Sequence, residues 1–170
     1  MSIAQSMLGE LDYEMANTRR TLERVPENKL DWKPDPKSMS LGQLAGHITE
    51  MVGWGAAVLT TPSMDMAAGE HKPFIPTSQH ELLSLFDQNL SGLRATLAAA
   101  KDEDMMKTWT LSVGSNVIFS MPRVAVMRTM IMNHLVHHRA QLTVYYRLNG
   151  VPVPALYGPS ADEGQMSASA

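Results

Sequence analysis

The sequence predicts an all-α protein, a four-helix bundle with long connections and a short hairpin or structured loop before the last helix. Three observations carry this reading. Four long stretches place apolar residues at helical spacing, and the boundaries between them carry serine, proline or glycine signals. Only one stretch, near residues 108–121, alternates as strands do. The chain has 170 residues, enough for one domain with a sizeable core. A three-helix core with a docked fourth helix is the alternative arrangement.

The first helix spans about residues 2–24, with Ile3, Met7, Leu11, Met15 and Leu22 in register and Pro26 as its stop. Pro34 and Pro36 make the next segment irregular. Ser40 and Gln43 form a capping-box pattern ahead of an apolar run that Pro62 closes. Residues 61–77 contain Gly69, Pro73 and Pro76 and read as a long loop. Ser78 with Glu81 is a second capping-box pattern, opening a helix that reaches about Lys101. Trp109, Leu111 and Val113 then alternate, as do Val117, Phe119 and Met121 across Gly114-Ser115-Asn116. The last helix starts near Met121 or Pro122 and ends at Asn149, with Gly150 as its stop and Pro152 and Pro154 beyond it. Residues 1–163 form one domain, and residues 164–170 are expected to be a flexible tail.

Net charge is −3, and no basic stripe suggests nucleic acid. Arg123, Arg128, Arg139 and Arg147 read as the solvated face of the last helix. The chain has no cysteine, which excludes disulfides, thiolate ligands and cysteine nucleophiles. No apolar run is long enough to span a membrane, and the first residues lack a signal-peptide pattern. The expected location is the cytoplasm.

Half of the six histidines fall in "MNHLVHHRAQL". On a helix each residue advances by about 100°. His134 and His138, one turn apart, share the inward stripe with Met127, Ile131, Gln141 and Tyr145. His137 lies about 60° from His134 on the far side and is not expected to join them. On the second helix His47 has Leu44 and Met51 as apolar neighbours and also points inward. A lone inward histidine is ordinarily a hydrogen-bonded core residue. Three from two helices are different, because an apolar bundle offers few partners for six ring nitrogens. One shared cation satisfies all three and keeps an open position. Imidazole suits zinc, nickel and iron alike, so the ligand set does not choose among them; the expected cofactor is a divalent transition ion, zinc or nickel first. Glu50 is the nearest acid in sequence and reads as a solvated flank residue. His71 falls in a loop and His80 in the first turn of a helix.

The segments "SMSLGQLAGHI", "NHLVHHRAQL" and "YYRLNGVPVP" resemble the DinB/YfiT-like family of four-helix-bundle metalloproteins, over nearly the whole chain and in the same order. That resemblance implies a metal triad of His47, His134 and His138. Ala140 stands where the family often has glycine, a harmless exchange within a helix. The resemblance also brings in thiol-dependent transferases and isomerases, in which a metal-bound thiolate is the common theme. The expectation is a metal-dependent enzyme of hydrolase or thiol-dependent transferase type, acting on a small molecule and with a thiol among the candidate substrates. The alternative is a non-catalytic binding or structural protein that the metal stabilises.

The remaining features have plainer readings. Fourteen methionines serve as flexible core filler rather than a copper site. Arg139 and Gln141, beside the triad, could orient its ligands. Val126, Met130, Val144 and Leu148 flank the histidine stripe, and their apolar surface suggests a homodimer, as does the resemblance.

Overall fold

The structure is a computed structural model that describes residues 2–69 and 72–164. Ser2 and Ser40 start two long helices in the same way. Each hydroxyl accepts from the backbone N–H three residues on, and the glutamine there accepts from the serine N–H. These reciprocal bonds satisfy donors that a helix start leaves unpaired. The helices are α1 (Ile3–Leu22) and α2 (Leu41–Thr60). Ser78 caps α3 (Gln79–Ala99), but the Glu81 carboxylate accepts from the N–H and hydroxyl of Thr77, so the expected box is half formed.

A short α4 (Asp102–Met105) follows α3. The last long helix has three parts: α5 (Arg123–Val126), a π-helical stretch (Met127–Asn133) and α6 (His134–Leu148). Gly150 ends it with φ +70°, and the Val151 N–H reaches back to the Tyr146 carbonyl, the bond that closes a Schellman turn.

Cross-helix contacts fix the directions. On α1 and α3, Asp12 pairs with Arg94 and Arg19 with Asp87, so these helices are antiparallel. Gly53 faces Asn89 and Gly55 faces Leu93, so α2 and α3 are parallel. Glu10 meets Arg128 and Thr21 meets Tyr146, so α1 is parallel to the last helix. The order is therefore up, down, down, up. Two parallel neighbours need a connection that travels the length of the bundle, and residues 61–78 supply it.

That crossover is not wholly irregular. It contains β1 (Ser63–Asp65), which pairs in parallel with β2 (Thr108–Val113), and β2 pairs antiparallel with β3 (Asn116–Pro122). The protein is thus mostly helical with a small three-stranded sheet, which corrects the all-α reading. The hairpin itself is present. A bulge between Leu111 and Ser112 sets Val117 opposite Ser112, so Val117 leaves the face that Leu111 and Phe119 share.

The core is continuous across α1, α2, α3 and the last helix, with Leu11, Ile48, Phe86, Leu135 and Tyr146 fully buried. Two arginines assigned to a solvated face are inside it. Arg123 gives an Nη2 bond of 2.9 Å to the Thr61 carbonyl, and Arg139 is only 1% exposed. For Arg139, which follows it, the π-helical stretch explains the error; Arg123 precedes that stretch and is held at the helix start by the Thr61 carbonyl. A π turn uses one residue more than an α turn, so the inward direction after it is rotated by roughly one residue's advance, about 100°. In α6 the inward residues are Leu135, His138, Arg139, Leu142 and Tyr146, whereas Gln141 is exposed and Tyr145 half-buried.

Residues 151–164 lie against α1 and α6. Asp162 takes Arg147 in two bonds of 2.7 and 3.2 Å, and Glu163 meets Arg20 and Arg24. Residues 165–170, most of the expected tail, lie outside the described residues, as does His71. Among the described residues no helix is long and apolar enough to cross a membrane.

Candidate metal centre

The site sits where antiparallel α2 and α6 face each other. Gly46 lets the crossover lie against α2 immediately before His47: a Cβ there would stand 2.0 Å from the Phe74 carbonyl oxygen. The His47 ring is 4.7 Å from that of His138 and 5.5 Å from that of His134, centre to centre. One ligating atom from each of the three histidines falls within 4.8 Å of the other two. Among the described residues this is the cluster of metal-ligand side chains able to meet at one ion, and no carboxylate joins it.

The geometry tests whether an ion fits. His134 Nε2 and His138 Nε2 are 2.8 Å apart. Two imidazole nitrogens at that distance need a proton or a cation between them. His138 Nδ1 is 2.7 Å from Gln141 Oε1, an acceptor, so Nδ1 carries the hydrogen and Nε2 presents its lone pair to the cluster. His134 Nδ1 is buried without a well-formed hydrogen bond, and the Met130 carbonyl supplies the weak favourable interaction it has.

Burial is the main cause that lowers the pKa of each of the three imidazoles. His47 is pushed down to about 4 by burial and then by the neighbouring His138 and His134. Burial lowers His134 and His138 as well; Gln141 opposes it at His138. Neutral imidazole is the ligating form, so the three are held ready for a cation at neutral pH. The donor set fits one divalent transition ion with a position left open.

Two spaces meet at His47. A cavity of about 240 Å³ lies between α2, the last helix and the sheet, lined by Trp54, Val58, Met64, Met66, Trp109, Leu111, Phe119, Val126, Met130 and Ile131. An outer cleft of about 460 Å³ has Lys33, Lys37, Gln43 and Glu50 on its walls. His47, Trp54 and Met66 border both. Trp32 packs edge-on to Tyr145 at 5.4 Å, and the Tyr145 hydroxyl donates to the Met39 carbonyl, which fixes the cleft's lysine-bearing loop to α6.

The structure brings His47, His134 and His138 together. His137 is exposed, with its ring 5.0 Å from that of His138 but outside the cluster, and His80 is exposed on α3. Glu50 is half-buried on the cleft wall, less solvated than its sequence context suggests. The sequence reading missed the chamber and β1. It also missed a second polar cluster: Arg139 reaches the Glu14 carbonyl at 2.8 Å, the Glu14 carboxylate at 2.6 Å and Thr18 Oγ1 at 3.0 Å, and contacts the Tyr157 hydroxyl. The one available signal was an arginine inside an apolar stretch directly after His138.

Fold and site define a class of helical proteins in which two antiparallel helices offer three imidazoles to one point. The sequence profile of the DinB family matches residues 1–168, and the chain belongs to that family. It is similar to the uncharacterized protein YrdA of Bacillus subtilis (strain 168), 24% identical over 155 residues that cover 89% of this chain and 86% of that one. A solved DinB-like protein from Bacillus cereus ATCC 10987 shares the fold with a TM-score of 0.68 and 24% identity, over 90% of this chain and 97% of the other. The DinB-like protein YjoA of Bacillus subtilis gives 0.68 and 19%, over 88% and 96%.

Proposed function

We propose that this protein is a metal-dependent enzyme in which His47, His134 and His138 hold one divalent transition ion, zinc or nickel. The observation that carries the reading is the convergence of three neutral imidazoles within 4.8 Å beside an open cleft. The bound ion supplies a Lewis acid able to acidify a water or a thiol, which suits hydrolysis or thiol-dependent group transfer. Gln141 orients His138, and Trp54 packs edge-on to His47 with ring centres 5.4 Å apart. The apolar wall meets the three-histidine cluster at His47. The substrate class is a small molecule, consistent with the size of the two spaces.

The test is elemental analysis of protein purified without a polyhistidine tag and without chelator. About one divalent ion per chain is expected, and His47→Ala should lose most of it. Protein that holds no transition metal and takes up neither zinc nor nickel overturns the reading. We also propose a homodimer in the cytoplasm. Of the four residues first expected to mediate it, Val126 is buried and Met130 lines the chamber, which leaves Val144 and Leu148, 57% and 60% exposed. Sedimentation at micromolar concentration decides: a single species at the mass of one chain excludes the dimer.

A further inference from the structure

Protein interiors pack to the density of organic crystals, and voids larger than a water molecule are few. The chamber behind His47 is a partly open pocket rather than a sealed void, and at about 240 Å³ it holds far more than one water. A cavity of roughly 150 Å³ with similar lining stays dry and binds benzene. This chamber is larger, and apart from His47 its lining is aliphatic, aromatic or thioether. The indole N–H of Trp109 is turned to the Thr61 hydroxyl at 3.3 Å, so the ring alone faces inward.

The sheet explains why the space is not filled by side chains. Residues of one face alternate along each strand. Trp109 and Leu111 lie on the inner face of β2, opposite Met121 and Phe119 on β3, while Thr110 and Ser120 bond to each other on the outer face. Leu111 and Phe119 are only half-buried although they point at the helices. They stand off from α2 and the last helix, and the chamber lies in the gap. Its one polar edge is His47, the residue it shares with the outer cleft.

We infer that the substrate carries a compact apolar group, a substituted ring or branched alkyl of on the order of six to nine carbons, seated in this chamber with its polar end at the imidazoles. Three flexible thioethers, Met64, Met66 and Met130, line the chamber and adapt to related shapes, so the site takes a class of apolar groups rather than one. The position of the polar end rests on the metal-centre reading. The apolar group's seat does not.

The experiment separates the two. Zinc-loaded protein is titrated by calorimetry with acetohydroxamate and with phenylacetohydroxamate, which share a metal-binding head and differ by a ring. The ring should tighten binding by about tenfold or more. Metal-free protein is titrated with phenylacetamide, which has the ring and a weak head, followed by tryptophan fluorescence. Leu111→Trp and Met130→Phe each fill the chamber from a different wall. Whichever keeps the native circular dichroism spectrum should abolish the preference for the ring. In protein that takes up zinc, the hydroxamate preference decides: equal affinities, or a preference that survives the filled variant, overturn the inference. If zinc is not taken up, the metal reading fails and phenylacetamide decides. Saturable binding lost in the filled variant then upholds the chamber's role, and absence of binding overturns it.

Discussion

His138 and Arg139 are adjacent on α6, both are buried, and they anchor two polar clusters of opposite character. Arg139 turns toward α1. Its guanidinium meets Glu14, Thr18 and the Tyr157 hydroxyl, and the Tyr157 ring lies 5.3 Å beneath it. That cluster carries opposite charges, and each of its polar partners belongs to the chain. His138 turns toward α2. There three imidazoles with lowered pKa values bring one ring nitrogen each toward a common point, and among the described residues no carboxylate joins them. A buried polar cluster whose donors and acceptors are complete within the chain stabilises the chain. One that has lone pairs left over is a site for something else.

The largest effect expected from this contrast is on stability. Arg139→Ala leaves the largely buried Glu14 carboxylate without its cation and with only the Tyr157 hydroxyl donating to it, and should cost about 3–5 kcal/mol in urea denaturation. His138→Ala in metal-free protein should cost only about 1 kcal/mol, while removing metal uptake. Equal costs for the two variants would break the comparison.

A smaller effect sharpens it. Gln141 is exposed, so Gln141→Ala should leave the denaturation midpoint unchanged. Its amide oxygen faces His138 Nδ1 at 2.7 Å, so on the proposed metal reading metal affinity in a competition titration should fall by about 10–100-fold. Unaltered affinity would mean that His138 keeps its tautomer without the amide.

The smallest effect is on pH dependence. An unfolded histidine titrates near its ordinary value of about 6.5. In the folded protein the three imidazoles resist protonation, His47 down to about 4. Between these values the unfolded state binds more protons, so metal-free protein should lose stability as pH falls from about 6.5 toward 4. The rings are partly exposed, so the loss should be about 1 kcal/mol. Urea midpoints at neutral and at mildly acidic pH measure it.

The same two residues show what the sequence could and could not reveal. The spacing of His134 and His138 lies wholly within α6, so a regular helix placed them on one side correctly. The inward direction of Arg139 was inferred from a wheel that began before the π-helical stretch, and that stretch rotated it. Helix starts were legible because their signals are local: the hydroxyl of Ser40 and the amide of Gln43 are three residues apart and bond as the pattern says. β1 was not, because Ser63-Met64-Asp65 has no pattern of its own and becomes a strand only by pairing with distant Thr110, Leu111 and Ser112. The chamber was invisible for the same reason, since its walls come from α2, the crossover, the hairpin and the last helix.

The crossover between α2 and α3 has a further consequence, for how such a protein can diversify. The three imidazoles sit on helices, whereas Met64, Met66, Trp109, Leu111 and Phe119 belong to the segments that join helices. The entropic cost of closing a loop grows only with the logarithm of its length. Insertions and substitutions in these joining segments would therefore reshape what the protein accepts at little thermodynamic cost, and the ligating atoms would not move. On the proposed reading the joining segments supply half of the chamber's apolar wall and none of the three imidazoles, so a library confined to residues 63–68 and 109–119 should change which ligands bind while leaving metal uptake intact.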